Sequence, residues 1–195
     1  IMHGVGRRLG EPVARGAVGE AMRLLGRQFV LGRDIGEALR NSAADMRDGY
    51  LHSFDMLGEA ARTARDAERY FQSYAQAIDG IGQHAHEADV HDNPGISVKL
   101  SALHPRYETV NREKVMVELA PAIIELARMA MRHNIPLAID AEEADRLELH
   151  LDIFAAILRD PQLEGWNGAG MVVQAYARSA PAVLDFLYAL AHDRA

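Results

Sequence analysis

Five polar side chains stand where this 195-residue chain would have to do its chemistry: Asp55, Glu59, Lys99, Asp140 and Gln174. Lys99 is the most pointed of them, an amine set among Ile96, Val98 and Leu100. Desolvation lowers a lysine's pKa, so such an amine could form a Schiff base with a carbonyl substrate. It could equally stay charged and hold a substrate carboxylate or the edge of a flavin, or pair structurally with a neighbouring acid. Asp140 ends an apolar run and is followed by Glu142 and Glu143. A buried carboxylate needs donors or a cation, and Lys99 is the candidate. Asp55 and Glu59 flank a turn, where the ordinary fate of such acids is helix capping and surface charge. Gln174 ends the last extended run and both donates and accepts hydrogen bonds, which suits a flavin edge.

Other chemistries find little support. There is no cysteine, which excludes disulfides and thiolate-metal sites. His84, His86 and His91 sit in a polar loop with Glu87, Asp89 and Asp92, and no His-Glu-x-x-His run exists, so no metal site is expected. A net charge of −7 argues against a nucleic-acid surface. Arg7, Arg8, Arg15, Arg23 and Arg27 do gather, but Glu11, Glu20 and glycines interrupt them, as on a solvated helix face. No segment approaches the roughly 20 apolar residues of a membrane span, so the chain reads as soluble or peripheral to a membrane. Its opening on Ile1 hints at an excised piece of something longer.

The elements that must position these residues follow from periodicity. Residues 11–48 read as two helices, one with Val13, Ala17, Ala21, Leu24 and Leu25 at helical spacing, the other with Ile35, Ala38, Leu39, Ala43 and Met46, capped by Asp34 and stopped by Gly49. From Gly49 onward, extended runs at Tyr50–Asp55, Ile96–Ser101, Pro136–Ala141 and Met171–Ala175 alternate with amphipathic helices near 63–83, 111–133, 147–159 and 179–192. Thr63 with Asp66 and Asp145 with Glu148 resemble capping boxes, and Ser179 precedes Pro181 in a first turn. Four strand–helix units in succession imply a parallel sheet.

Such units build either an open nucleotide-binding sheet or a closed barrel. The open sheet's Gly-x-Gly-x-x-Gly is missing after the first strand, where Met56-Leu-Gly58-Glu59 has one glycine. Gly165-Trp-Asn-Gly168-Ala-Gly170 precedes a strand, and Trp166 reads as packing. Parity favours the barrel. Ile96, Val98 and Leu100 oppose Ser97 and Lys99; Leu137 and Ile139 oppose Ala138 and Asp140; Met171 and Val173 oppose Val172 and Gln174. The bulky set suits packing under helices, and the polar set falls at the C-terminal strand ends, where barrels of this kind place their active sites. Asp55, Lys99, Asp140 and Gln174 are thus predicted to converge, one from each strand. The fold class is α/β, a partial (β/α)8 barrel of four units preceded by two helices. A full barrel has eight strands in typically about 250 residues, so a half would leave two sheet edges unpaired.

The same stretches carry a resemblance. Tyr50–Ala60, Gly95–Tyr107 with Ser97-Val-Lys99-Leu-Ser and His104-Pro-Arg-Tyr107, Ala138–Arg146 with Ile139-Asp-Ala-Glu-Glu143, and Gly165–Tyr176 are similar to the proline dehydrogenase domain of the bacterial bifunctional proline utilization family. Residues 11–30 resemble the helical segment ahead of that barrel. The implied domains are a helical segment over 1–48 and the first half of a flavin-binding barrel over 49–195. The resemblance implies FAD at the barrel mouth and oxidation of L-proline to Δ1-pyrroline-5-carboxylate, with electrons passing to a membrane quinone. By position, Asp140, Ala141, Val172 and Gln174 match the family's FAD contacts. Lys99 matches the lysine near the flavin and the proline carboxylate, an electrostatic anchor instead of a Schiff base. Asp55 and Glu59 match acids of the substrate pocket, Glu59 through an arginine further on.

Further expectations come with the family: the remainder of the barrel and an aldehyde dehydrogenase domain as partners in the parent, homo-oligomerisation, and a cytoplasmic location, peripheral to the inner membrane. The family's flavin-contacting arginine and its proline-clamping arginine pair are expected beyond Ala195, so residues 1–195 alone are expected to be inactive. Two other readings stand beside this one, a Schiff-base aldolase-type barrel using Lys99 and a non-catalytic half-barrel that serves as an assembly partner.

Overall fold

The computed structural model describes residues 15–22, 24–26 and 30–193, arranged as two compact units, 1–49 and 50–195. In the first unit, residues 15–22 and 24–26 are helical. Val13 and the arginines Arg7, Arg8, Arg23 and Arg27 lie outside the described residues. Helix α1 (Ile35–Arg47) starts where Asp34 accepts the Glu37 N–H at 2.8 Å, the N-cap bond expected of an aspartate there. It ends before Gly49, whose φ of +89° is a conformation that glycine adopts without strain.

The second unit is a four-stranded parallel sheet, β1 (Ser53–Asp55), β2 (Gly95–Val98), β3 (Leu137–Ile139) and β4 (Ala169–Met171), in the order β1-β2-β3-β4. Each strand pairs with the next, so sequence neighbours are spatial neighbours, as in a barrel wall. Between them run α2 (Ala64–Gly82), the single turn α3 (Leu100–Leu103), α4 (Arg112–Arg132) and α5 (Leu147–Leu158); α6 (Ala180–His192) follows β4. The architecture is a partial (β/α)8 barrel of four units.

Each long helix lies within a residue or two of its predicted range, because an apolar stripe must face the sheet. Tyr74, Ile78 and Ile81 of α2, Val115, Leu119, Ile123 and Leu126 of α4, and Leu149, Ile153 and Ile157 of α5 are all buried. Thr63 and Asp66 form the reciprocal capping box, Thr63 Oγ1 accepting the Asp66 N–H at 3.1 Å and Asp66 accepting the Thr63 N–H at 3.0 Å. The second expected box is absent. Ala144–Arg146 is a 3-10 turn, Arg146 occupies the N-cap without a side-chain bond, and Thr109 Oγ1 donates to the Asp145 carbonyl at 2.7 Å. The Arg146 guanidinium turns instead toward Glu142 and Glu143 and covers the Tyr107 ring at 5.6 Å.

The strands are shorter than their apolar runs, and two are displaced. After Lys99 the chain turns at once into α3, so Leu100 is a buried helix residue and not a strand residue. β4 begins at Ala169, two residues before the apolar run, because Leu137 and Ala138 pair with Ala169 and Gly170. Val172 and Gln174 lie past the strand, although the Val172 N–H still donates to the Ile139 carbonyl at 2.9 Å. The predicted alternation holds in the two inner strands: Ile96, Val98, Leu137 and Ile139 are buried, while Ser97, Lys99, Ala138 and Asp140 are partly open.

Gly58, in the β1–α2 loop, has φ +143°, and a Cβ there would stand 2.3 Å from the Tyr70 ring. Gly58→Ala is expected to lower stability by about 1–3 kcal/mol through strain and overpacking, read as a reduced urea midpoint with unchanged slope.

Candidate functional site

The C-terminal ends of the strands meet at Lys99. Its ammonium lies 2.8 and 2.9 Å from the two Asp55 carboxylate oxygens and 2.6 Å from Asp140 Oδ2. Asp55 ends β1 and Asp140 follows β3, so a lysine leaving the strand between them reaches both acids. The Asp140 N–H donates to the Val98 carbonyl at 2.9 Å, which brings its carboxylate beside the Lys99 side chain. Tyr74, buried on α2, accepts the Lys99 backbone N–H at 3.2 Å. Burial pushes the Tyr74 phenol up to about 12, so it stays a neutral hydroxyl at this corner.

The Lys99 side chain is only 17% exposed. Burial by itself would depress its pKa, but the hydrogen bonds and charges of Asp140 and Asp55 outweigh that and hold it above the ordinary lysine range. A nucleophilic amine must be neutral, so this lysine is a fixed cation, and the Schiff-base reading loses its physical basis.

Lys99, Glu59, Ser101, Glu142, Arg146 and Gln174 line an open cleft of about 440 Å³, floored in part by Ala141. The Gln174 amide donates to the Glu142 carbonyl at 3.3 Å, and the Asp140 carboxylate accepts the Ala141 N–H at 3.1 Å. Glu59 is exposed at the cleft edge. Val172 is 40% exposed and lines a smaller adjoining pocket with Ala141 and Gln174. Lys99, Asp55 and Asp140 are therefore in direct contact, Glu59, Ala141 and Gln174 share a cleft with Lys99, and Val172 borders the pocket beside it. Among the described residues no group of three or more His, Cys, Asp or Glu side chains is gathered as a metal ion would require. No helix among them is long and apolar enough to cross a membrane.

Several groups escaped the sequence reading. Ser101 and Glu142 tie the rim together. Glu142 was visible as an acid beyond Asp140, yet nothing in the sequence marked its burial, which raises its pKa. Behind the rim the Tyr107 hydroxyl lies 3.4 Å from His150 Nδ1, both side chains buried. Desolvation raises the Tyr107 phenol and lowers His150 to about 4, with the Asp140 charge only partly opposing the latter. His150 sits on the apolar stripe of α5, and a histidine there gives no signal of its own. Trp166 is buried over Gly168, a packing residue as expected. His104 is buried as well, accepting the Arg106 N–H at 3.1 Å through Nδ1 and facing Glu118 at 3.0 Å through Nε2, so its loop closes a turn.

Residues 38–195 match the profile of the family described as proline dehydrogenase. The bifunctional protein PutA of Rhizobium meliloti is 50% identical over 184 residues, which are 94% of this chain and 15% of that protein. A crystal structure of a variant of Bradyrhizobium japonicum proline utilization A is similar at TM-score 0.80 and 52% identity, over 96% of this chain and 19% of its own. Proline utilization A from Bdellovibrio bacteriovorus shares the fold at TM-score 0.86 and 21% identity, over 93% and 20%. The chain thus spans less than a fifth of the length of the Rhizobium and Bradyrhizobium relatives it matches.

Folded His150 holds its proton more weakly than the unfolded residue near 6.5. Its contribution to stability is therefore complete above about 6.5 and is lost as pH falls toward 4, by about 3 kcal/mol in all. Urea midpoints at pH 7 and 4.5 should fall less steeply for His150→Phe than for the unmodified chain. Borohydride with a small ketone at pH 7 should leave Lys99 unmodified; a mass increase on its peptide would contradict the fixed-cation assignment.

Proposed function

Because this chain belongs to the proline dehydrogenase family, we propose that it forms half of the catalytic barrel of an FAD-dependent enzyme that oxidises L-proline to Δ1-pyrroline-5-carboxylate and passes the electrons to a quinone. The observation that carries the reading is the cationic Lys99 held between Asp55 and Asp140 at the strand ends, opening on a cleft. Barrels of this architecture do their chemistry at that end.

The donor set fits a flavin. Gln174 can present both an amide N–H and an amide carbonyl to a ring edge that carries both kinds of group. Val172 and Ala141 offer apolar surface beside it, and Lys99 with Asp140 brings charge to the same rim. Asp140, Ala141, Val172 and Gln174 would hold the cofactor, which when bound supplies the hydride acceptor. The protein's own part is electrostatic. Lys99 stays protonated across the working pH range and anchors an anionic substrate group, while Asp55 and Asp140 keep its ammonium in one place. Glu59 lies at the cleft edge, where it would orient an arginine contributed by the rest of the barrel.

Residues 1–48 serve in this reading as a helical segment ahead of the barrel and 49–195 as its first half, within a parent that also carries an aldehyde dehydrogenase domain and assembles as a homo-oligomer. The parent works in the cytoplasm or against the inner face of the membrane that supplies the quinone. Four strands leave the described sheet with open edges at β1 and β4, so residues 1–195 alone are expected to lack activity.

The test is turnover of proline with a dye acceptor. In the intact parent, Lys99→Met should cost roughly a hundredfold in kcat/KM while flavin absorbance is retained. Equal turnover by the variant, or turnover by residues 1–195 alone, would refute the respective part of the proposal.

A further inference from the structure

Glu142 takes no part in the lysine bridge, yet it touches Ser101, Arg146 and Gln174 around the rim. Its side chain is only 10% exposed. Its Oε1 accepts the Ser101 N–H at 2.9 Å, its Oε2 lies 3.7 Å from Arg146, and its backbone carbonyl accepts the Gln174 amide at 3.3 Å. Ser101, also buried, relays the restraint. Its Oγ accepts the Ala60 N–H at 3.1 Å and its carbonyl accepts the Ala61 N–H at 2.9 Å. Ala60 has φ +52°, a left-handed conformation that a residue with a Cβ keeps only when its surroundings impose it. Glu59 immediately precedes it.

We infer that Glu142 is a positioning residue: through Ser101 it sets the Glu59–Ala61 loop, and through its carbonyl it sets Gln174, so that opposite walls of the cleft keep one spacing. The physical need is plain. Glu59 follows β1 by four residues and Gln174 follows β4 by three, and neither is held by a strand ladder. Loops at a barrel mouth wander unless something crosses between them. A buried carboxylate that accepts a backbone N–H is strongly directional and costly to leave unpaired, so it resists displacement. Positioning of this kind governs how a small cyclic amino acid fits the cleft, ahead of how fast it reacts.

The inference rests on the proposed proline site, and the experiment separates the two. In the intact parent, Glu142→Ala should raise KM for proline roughly tenfold, the loss of about one charged hydrogen bond, with kcat little changed and flavin still bound. Glu142→Gln keeps an acceptor for the Ser101 N–H and should recover most of that loss. Ser101→Ala removes the Oγ link to Ala60 and should raise KM in the same direction. An unchanged KM in Glu142→Ala, or a fall in kcat alone, overturns the inference. If Glu142→Ala fails to fold, Ser101→Ala decides it, an unaltered KM there being equally fatal. If the unmodified parent oxidises no proline, the proposed function fails, and amide hydrogen exchange decides the inference. Exchange at Ala60, whose N–H loses its Ser101 Oγ acceptor, must quicken in Ser101→Ala relative to the parent, and equal protection overturns it.

Discussion

The contact on which the rest of the site depends is the three-membered ion cluster of Asp55, Lys99 and Asp140. Two carboxylates at the ends of the strands that flank β2 repel, and a lysine with most of its side chain removed from water is costly to keep charged. Together they cancel each other's cost. Asp55 pairs in register with Ser97, and Val98 with Ile139, so Lys99 leaves β2 just past the point where both acids come within its reach. The cluster therefore locks three strand ends at once. It sets two carboxylates against one ammonium, and Lys99 lines the cleft.

Around this centre the support comes from unlike sources. Beneath it, the buried Tyr74 hydroxyl takes the Lys99 backbone N–H and links α2 to the end of β2. Above it, the bonds running from Gln174 through Glu142 and Ser101 to the Ala60 loop join the fourth strand's end to the first strand's loop without touching the lysine. To one side, Tyr107 and His150 form a neutral buried pair, since desolvation keeps the phenol protonated and the imidazole uncharged. Next to the charged cleft, this pair is polar but neutral.

The pairing of Lys99 bears on function. A lysine meant to attack a carbonyl needs neighbours that destabilise its cation, whereas this one has neighbours that stabilise it. The acids beside Lys99 keep it cationic, which rules it out as a carbonyl nucleophile.

Much of this was legible in the sequence. Helix periodicity located α1, α2, α4, α5 and α6 because an amphipathic stripe is a local property, and the Thr63–Asp66 box and the Asp34 cap are local hydrogen bonds within one turn. Alternation along β2 and β3 placed Lys99 and Asp140 on one face, which was enough to foresee their meeting. Strand limits were not legible. Leu100 continues the apolar alternation yet belongs to a helix, and β4 begins at Ala169 instead of Met171, because strand pairing is decided by backbone groups of the neighbouring strand. The Asp145–Glu148 pattern failed because the Asp145 carbonyl is held by Thr109, 36 residues away, while Arg146 turns back to Glu142 and Glu143. Glu142, Ser101 and Tyr74 could be recognised only in the folded chain. Their importance lies in hydrogen bonds spanning 25 to 41 residues of sequence, and no local pattern encodes a partner that far away.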